Sequence, residues 1–294
     1  MILVSTLGLL VLFLQLVNIQ VLSHDHYFAM AEENRIRVTP IPPLRGRILD
    51  REGRLLASDR PSYTISIIPS EAKPLSELAG KLAPLLAMDA DVIVEKVRQR
   101  RFRKYEPVRI KRDVDFGTVC IIEEAAELYP GVIYQLDHAR HYHYGNIACH
   151  LLGHTGEVDD RERRSGYRLG SLIGRSGIER QYDQLLRGFE GVDYLEVSAT
   201  GRIIGPLEEK QGREPIAGME LVLTIDLDLQ RVADSLFGDT LTGAAVFIRP
   251  RSGEIVALVS KPTYDANLFS GLVPVSEYDN LIQDQGHPLF DRAI

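Results

Sequence analysis

The chain has 294 residues, of which 45% are hydrophobic and 26% are charged. This composition excludes a collagen-like, low-complexity or wholly disordered protein and allows one to two globular domains. The 34 Lys and Arg residues against 41 Asp and Glu residues give a net charge of -7, which disfavours a nucleic-acid-binding surface. The cysteines Cys120 and Cys149 are too few for a disulfide-stapled small fold, and the sequence leaves their pairing open.

The first 22 residues are almost entirely apolar, and a helix of this length would cross the roughly 30 Å hydrocarbon core of a bilayer. We expect residues 1–22 to form a single membrane-spanning helix. The alternatives are a cleavable signal peptide, for which Ala29-Met30-Ala31 is a small-x-small site, and a buried helix. No Lys or Arg precedes the run and several Arg residues follow it, so the positive-inside rule by itself would place the bulk of the chain in the cytoplasm.

A linker and a hairpin are predicted next. Residues 23–44 are polar and contain Pro40, Pro42 and Pro43, which favour extended backbone. The segment Asp50-Arg51-Glu52-Gly53 separates two apolar runs, and Gly53 can take the positive φ that closes a hairpin. The alternation from Tyr63 to Ile68 predicts a strand that stops at Pro69.

The remaining pattern mixes helices and strands. Helical signals cover residues 75–87, 90–101 and 115–128, with Asp89 as the N-cap of the second, and residues 132–136 predict a strand. Residues 221–225 predict a strand, Asp226 caps a helix that ends near Phe237, and residues 244–249 and 254–259 predict a hairpin. Residues 260–294 show no sustained period. A structureless stretch of that length argues against a compact unit that ends with this chain, so we expect a truncated sequence.

Charged residues and glycines recur together in three blocks, Arg45–Ala57, Arg140–Gly156 and Gly174–Tyr182. These blocks resemble the sequence motifs of class B penicillin-binding proteins, the transpeptidases that cross-link peptidoglycan. The first block resembles the RGxIxDRxGxxLA signature and contains Arg45, Gly46, Asp50, Arg51 and Gly53. The other two resemble motifs of the non-catalytic pedestal, or dimerisation domain, of that family. They contain Arg140, Tyr142, Gly145, His150 and Gly153, and then Gly174, Gly177, Glu179 and Tyr182.

Further blocks extend the resemblance over nearly the whole chain. Leu223-Thr224-Ile225-Asp226, Leu229-Gln230 and the segment from Ser252 to Ala257 resemble the opening of the transpeptidase domain. The segment from Glu32 to Pro43 is most similar to elongation-type members, those similar to penicillin-binding protein 2. Departures from the family pattern are His143, where Pro is common, and Asp291, where Asn is common.

The resemblance implies an α+β fold in four parts. These are a transmembrane anchor at 1–22, a linker at 23–44, an elongated pedestal at 45–217, and at 218–294 the incomplete start of an α/β, β-lactamase-like transpeptidase domain. It implies a parent protein that cross-links peptidoglycan stem peptides during elongation through a serine acyl-enzyme and binds β-lactams. The expected location is the plasma (inner) membrane, with the bulk of the chain extracytoplasmic. The implied partners are a SEDS-type glycosyltransferase and rod-complex scaffold proteins, and no cofactor is implied.

The motifs for acyl transfer are missing, so we expect no catalytic residue in this chain. Such enzymes need a Ser nucleophile with a Lys one helical turn later, followed by S-x-N and K-[ST]-G elements. In the family, the S-x-x-K motif follows the segment that matches Asp291-Arg292-Ala293. The literal match Ser70-Glu71-Ala72-Lys73 lies between two prolines and predicts an exposed turn, and Lys210-Gln211-Gly212 has Gln where Ser or Thr is needed.

The sequence also allows two other functions. A stand-alone docking module without catalysis is one alternative. A metal-dependent hydrolase is another, because the spacing of His150 and His154 would place two ligands on one helix face, although Leu151 stands where H-E-x-x-H has Glu. The histidines of that cluster are His138, His141, His143, His150 and His154.

Three local patterns carry weaker signals. The block from Gly174 to Ile178 falls short of a G-x-S-x-G nucleophile elbow, and the glycines from Gly166 to Gly177 lack phosphate-loop spacing. Residues 98–112 hold eight Lys or Arg residues, which predicts a solvated helix face or a contact with an anionic partner.

Several charged residues of the motifs stand among glycines and apolar neighbours, which indicates ion pairs at an internal seam. They are Arg45, Asp50, Arg51, Arg140 and Glu179. We expect Glu179 to pair with Arg45 or Arg51.

Overall fold

The computed structural model describes residues 2–23, 35–99, 105, 107–158, 167, 171–198, 203–238, 241–271 and 275–294. The chain divides into two compact units. The first contains residues up to Ile41 together with Gly191–Glu214, and the second contains Pro42–Glu190 together with Pro215–Ile294.

The first unit combines an apolar helix with a small sheet. Helix α1 (Ile2–Val17) has no charged residue in its first or last turn and continues as a π-helical turn, Asn18–Leu22. The antiparallel sheet has the order β1-β8-β9. Its strands are β1 (Ile36–Ile41), β8 (Gly191–Val197) and β9 (Ile203–Pro206). Among the described residues, no helix combines the length and apolar character needed to cross a membrane.

The main sheet of the second unit is centred on strand β3 (Leu55–Ile67). One side of β3 pairs antiparallel with β2 (Ile48–Leu49) and β4 (Val108–Val114), and the other pairs along its length with β5 (Val132–Tyr142). Strand β10 (Leu221–Val222) adds to β2 in parallel. The strands predicted at 63–68 and 132–136 are confirmed but extend further, because the pairing of β3 with β5 continues to Ala57 and Tyr142.

A first hydrophobic core, called the aliphatic core below, lies between this sheet and three helices. They are α2 (Leu75–Leu86), α3 (Ala90–Gln99) and α4 (Phe116–Glu124). All three were predicted, although the third ends earlier and is followed by a 3-10 turn, Ala126–Leu128. Asp115 caps α4 by accepting a 3.0 Å hydrogen bond from the Thr118 amide. The core consists mainly of Ile65, Ile67, Leu78, Leu82, Leu86, Ile93, Val97, Val108, Ile110, Val119 and Ile122.

A second core, called the junction core below, joins residues far apart in sequence. It contains Ile48, Leu56, Ala57, Tyr142, Ala148, Cys149, Leu152, Leu186, Leu227, Tyr264, Ala266 and Phe269. Short elements line it: α5 (Cys149–Leu152), β6 (Thr155–Glu157), β7 (Leu172–Gly174), α6 (Gly177–Gln181) and α7 (Asp183–Leu186). Strands β6 and β7 form an antiparallel pair.

The elements after Glu220 follow the prediction in part. Asp226 caps α8 (Leu227–Phe237), and β11 (Gly243–Ile248) pairs antiparallel with β12 (Ile255–Lys261), both as predicted. The strand predicted at 221–225 is shorter, because β10 has only the two residues of β2 to pair with.

The expectation that residues 260–294 lack structure is wrong. A 3-10 turn, Ala266–Ser270, and helix α9 (Val275–Gln283) lie in this stretch. Tyr264 and Phe269 are buried in the junction core. Because the elements are short and bury isolated aromatic side chains, they leave no period in the sequence.

Candidate functional site

The motif residues meet in a buried ionic cluster at one end of β3 and β5. Arg45 precedes β2, Arg140 lies on β5, and Glu179 lies on α6. The side chains of Arg140 and Glu179 are fully buried, and that of Arg45 is 5% exposed. The cluster therefore connects three segments that are far apart in sequence.

Glu179 is the centre of this cluster. Its Oε2 accepts a 2.6 Å hydrogen bond from Arg45 Nε, and its Oε1 accepts a 2.7 Å bond from Arg140 Nε. Arg45 also donates through Nη2 to the Glu179 carbonyl at 3.0 Å. The predicted pairing of Glu179 with Arg45 is confirmed, while Arg51 lies at the turn between β2 and β3, where its amide donates to the Ile225 carbonyl.

Two further carboxylates contact the guanidinium groups of this cluster. Asp59 on β3 accepts from Arg140 Nη1 at 3.0 Å and from the Arg45 amide at 2.7 Å. Asp183 lies 2.8 Å from Arg45 Nη2 and also accepts a 2.8 Å bond from the Gly174 amide. Three carboxylates thus surround two guanidinium groups, so each buried guanidinium is paired with two carboxylates, although Arg140 Nη2 has no hydrogen-bond partner among the described residues.

The cluster fixes the ionisation of its neighbours. Burial lowers the pKa of Arg140, but Glu179 and Asp59 raise it more, so the guanidinium stays charged. Burial, aided by Glu179, raises the pKa of Tyr142 well above its ordinary value, so the phenol stays neutral. Its hydroxyl donates a long, 3.5 Å bond to Glu179 Oε1.

Glycines of the motifs allow the close backbone approaches around the cluster. A Cβ at Gly174 would collide with the Glu179 carbonyl group, and one at Gly153 would collide with the Ser176 carbonyl oxygen. Gly153 also has a φ of +75°, which disfavours any other residue. Gly46 and Gly177 likewise face backbone atoms, those of Met219 and Leu151.

The first motif divides between two places. Arg45 and Gly46 lie at the ionic cluster, whereas Asp50 and Gly53 form the turn between β2 and β3. Asp50 accepts hydrogen bonds from the Arg54 amide at 2.8 Å and the Arg54 Nε at 2.7 Å. Burial raises the pKa of Asp50, but these bonds outweigh it and hold the pKa below its ordinary value. Gly53 has a φ of +82°, as the predicted hairpin requires.

The second motif contacts the chain after Lys261. Asn267 donates to the Tyr142 carbonyl and accepts from the Tyr142 amide, both at 2.9 Å. The carbonyl of Gly145, which has a φ of +53°, accepts from the Ala266 amide at 3.3 Å. His150 Nε2 lies 2.7 Å from the Pro288 carbonyl oxygen. These contacts attach Ala266 and Asn267 to the end of β5 and the segment after it, and Pro288 to α5.

The idea that His150 and His154 share a helix face is wrong. Helix α5 ends at Leu152, and Gly153 breaks it, so the four-residue spacing does not produce a helical pair. His154 instead lies 3.0 Å from Ser176 Oγ and stacks on Phe269 at a ring distance of 4.1 Å. Its burial lowers its pKa to about 4. In the part of the chain that the structure describes, no three His, Cys, Asp or Glu side chains group as metal ligands.

A cleft of about 560 Å³ opens beside these histidines. Its walls come from α5, α6 and the last residues of the described chain, and include His150, His154, Ser176, Tyr182, Tyr264, Phe269, Tyr278, Leu289, Asp291 and Ile294. Tyr182, the last residue of the third motif, is 40% exposed on this wall. The cleft therefore places motif residues and the chain after Lys261 on a common surface.

The remaining predicted features lie elsewhere. Ser70 and Lys73 lie in the predicted turn region between β3 and α2, where Lys73 is exposed but Ser70 is half-buried. Both cysteines are free, Cys120 exposed and Cys149 buried. Much of the basic segment falls outside the described residues, as do Gly166 and Gly170. Its described member Arg112 pairs with Asp137 at 3.3 Å and with Glu157 at 3.4 Å.

Reasoning from the sequence missed four residues of this region. Asp59 and Asp183 belong to the ionic cluster. Asn267 and Pro288 form hydrogen bonds with Tyr142 and His150 of the second motif. Asp183 directly follows the third motif, and Asp59 is an acidic residue within a strand. Pro288 acts through its backbone carbonyl, which leaves no signal in the sequence.

The fold and the motifs agree with the comparisons to known proteins. The family model of the penicillin-binding protein dimerisation domain matches residues 40–223. The chain is 32% identical to the peptidoglycan D,D-transpeptidase MrdA of Haemophilus influenzae, over 99% of this chain and 46% of that protein. It is 34% identical to MrdA of Acinetobacter baumannii, over 97% of this chain and 43% of that protein. The chain thus spans about half the length of these relatives.

A solved structure has the same fold. The complex between PBP2 and MreC from Helicobacter pylori matches with a TM-score of 0.73 and 22% identity, covering 87% of this chain and 49% of that one. The chain therefore belongs to the penicillin-binding protein dimerisation-domain family, as a class B member similar to penicillin-binding protein 2.

Proposed function

We propose that this chain is the anchor and pedestal of an elongation-type class B penicillin-binding protein, together with the first part of its transpeptidase domain. In this proposal residues 1–22 are the anchor, 23–44 the linker, 45–217 the pedestal and 218–294 the start of the catalytic domain. The pedestal acts as a support that sets the position of the chain leading into the catalytic domain.

The junction core is the observation that carries this role. Leu227 and Phe269, from the proposed start of the catalytic domain, are buried together with Tyr142 and Leu152 from the pedestal. The Asn267 side chain adds two hydrogen bonds to the backbone of Tyr142, whose hydroxyl contacts the ionic cluster. Because packed interiors resist deformation, a shift of the pedestal motifs would also displace residues 264–269.

The names of the relatives support a proposal for the chemistry of the parent protein. The relatives from Haemophilus influenzae and Acinetobacter baumannii, which are about twice as long as this chain, are named peptidoglycan D,D-transpeptidase. We propose that the parent cross-links stem peptides through a serine acyl-enzyme and is acylated by β-lactams, and that no residue of this chain is catalytic. The pedestal-motif residues have a positioning role in this proposal, with Glu179, Arg45 and Arg140 at its centre.

A membrane location is supported by the first helix. Helix α1 has 16 residues, a length of about 24 Å, and the π-helical turn continues it to Leu22. Apolar side chains of α1 such as Leu9, Leu12 and Phe13 are more than 60% exposed. We propose a single-pass anchor in the plasma (inner) membrane, with the bulk of the chain on the extracytoplasmic side.

The proposed partners are a rod-complex scaffold protein and a SEDS-type glycosyltransferase. The structural relative from Helicobacter pylori is a complex with MreC, which supports the first. Exposed apolar side chains on and near α4 and β5 offer a surface for a protein partner, among them Phe116 at 64%, Leu128 at 54% and Leu136 at 64%. The SEDS partner is implied by the resemblance of the motifs.

Acylation by a fluorescent penicillin tests the proposal. The full product of the gene should be labelled, and a product ending at Ile294 should not be, when both are purified from membranes and resolved on a gel. Labelling that survives in the shorter product would contradict it. If the full product is not labelled but co-purifies with a SEDS protein, the chain is instead a docking module without catalysis.

A further inference from the structure

Residues 284–292 form a loop that is closed by one arginine. The Arg292 guanidinium donates to the carbonyls of Gly286 at 2.7 Å, Phe290 at 3.1 Å and His287 at 3.3 Å. A planar guanidinium that binds three carbonyls of one short segment holds that segment in a single conformation. The loop is therefore fixed internally, and its orientation depends on what attaches it to the rest of the unit.

Two hydrogen bonds attach the loop to two different parts of the unit. The Arg292 amide donates to Ser260 Oγ on β12 at 3.0 Å. On the other side, His150 on α5 reaches the carbonyl oxygen of the buried Pro288 at 2.7 Å. The loop thus bridges the pedestal and the strand that belongs to the proposed start of the catalytic domain.

The contact with Pro288 determines the tautomer of His150. A carbonyl oxygen only accepts, so Nε2 must carry the proton and donate it. In the neutral ring Nδ1 is then an acceptor, and Cys149 Sγ lies 3.5 Å from it. A thiol is a weak donor that can fill this position. Burial lowers the pKa of His150 and raises that of Cys149 to about 12, so both groups are neutral in the physiological range.

We propose that the Cys149 thiol, the His150 imidazole and the Pro288 carbonyl form a hydrogen-bond relay that positions the 284–292 loop on the pedestal. The thiol donates to Nδ1 and fixes the tautomer, and Nε2–H holds the loop. His150 and Cys149 are positioning residues, since neither contacts a reacting group. The consequence for acylation rests on the proposed function, in which the nucleophile motif follows this loop.

Two measurements on this chain test the relay without any activity. Nitrogen-15 NMR of the histidine rings should show Nε2–H for His150, and Cys149→Ala should change its ring shifts while Cys149→Ser, which keeps a donor, should not. Amide exchange should accelerate about tenfold at Phe290 and Arg292 in His150→Asn, with Ile65 and Ile110 in the aliphatic core unchanged. An Nδ1–H tautomer, or unchanged exchange in the loop, would overturn the relay.

Acylation of the full gene product tests the consequence. The glutamine amide reaches the place of Nε2, whereas asparagine reaches only the place of Nδ1. We expect His150→Asn to lower the rate constant for labelled penicillin about tenfold and His150→Gln to restore most of it, with equal melting temperatures. The exposed His143→Asn is the matched control. Equal rates in all variants would refute the positioning role and leave the proposed function intact. An unlabelled wild type would refute the proposed function, and the relay would then be tested by the NMR and amide-exchange measurements alone.

Discussion

The aliphatic core and the junction core of the second unit have different compositions and different roles. The aliphatic core contains almost only Ile, Leu, Val and Ala, and its helices α2 and α3 supply residues within 25 positions of one another. The junction core mixes aromatic side chains with aliphatic ones, draws on residues from Ile48 to Phe269, and lies beside the buried ionic cluster. The first core stabilises through burial alone, and the second also specifies which distant segments meet.

The two cores should differ in how well they tolerate side-chain substitutions. An aliphatic core can accommodate a change of similar volume by repacking. A buried ion cluster cannot, because loss of one partner removes charge-assisted hydrogen bonds that water cannot replace in the interior. The junction core should therefore be the more fragile of the two to a change that preserves volume.

The largest expected effect is that of Glu179→Gln, which keeps the volume but turns an amide NH2 group toward the Nε–H donor of either Arg45 or Arg140 in place of the shared carboxylate. We expect the free energy of unfolding to fall by about 3–5 kcal/mol, measured by urea denaturation. The matched control is Glu209→Gln, which removes the exposed partner of Arg35. If both variants lose the same stability, the distinction between the two kinds of ion pair is refuted.

Leu82→Ala tests the aliphatic core, where Leu82 is fully buried on α2. The lost apolar contacts and the remaining cavity should cost about 3 kcal/mol in the same denaturation experiment. Leu82→Met, which nearly conserves volume, should cost less than about 1.5 kcal/mol. A large loss in Leu82→Met would show that this core, too, depends on exact shape.

Asp50→Asn tests the turn that attaches β2 to α8. It removes the charge that Arg54 and the Leu227 amide contact, and we expect a loss of about 2 kcal/mol at neutral pH. Because the folded pKa of Asp50 is lowered, its contribution is present above pH of about 4 and is lost as the pH falls below that value. The difference between variant and wild type should thus shrink in acid, and a constant difference down to pH 2 would contradict this.

His154 contributes to the pH dependence of stability between pH 4 and 6.5, together with His150, whose pKa burial also lowers. The folded pKa of His154, about 4, lies below the ordinary value near 6.5, so in this range the unfolded chain binds a proton that the folded chain does not. Stability should be highest above pH 6.5 and fall as the pH approaches 4. In His154→Gln the slope over this range should be smaller, as measured by urea denaturation at four pH values, and an unchanged slope would assign it to other groups.

The two cores also differ in how far the sequence predicted them. Helices α2, α3 and α4 were located from periodicity, because each buries one face against a sheet. The junction core has no such period. Its existence could be inferred only through the motifs, which identified Arg45, Arg140 and Glu179 as a seam but gave no sign of Asp59 or Asn267.

The misses have one physical cause. Residues 260–294 contact α5 and β5 through single side chains and backbone carbonyls, such as Phe269 and the carbonyl of Pro288. Contacts of this kind depend on the path of the chain and not on local preference, so neither propensity nor pattern could reveal them. The spacing of His150 and His154 likewise indicated one helix, but the helix ends at Leu152 because Gly153 has a positive φ.

The smallest effect is expected at the surface of α2, where Lys81 contacts Glu77 at 2.8 Å in the i,i+4 arrangement. The side chains are 40% and 60% exposed, so water and salt screen their attraction. Lys81→Ala should leave the denaturation midpoint unchanged within error, because alanine also favours the helix. Since Lys81 and Leu82 are adjacent, the pair of variants separates the contribution of the surface from that of the core in one turn of helix. A clear loss of stability in Lys81→Ala would mean that exposed ion pairs stabilise this region. Exposed and buried ion pairs would then differ only in how much stability they contribute.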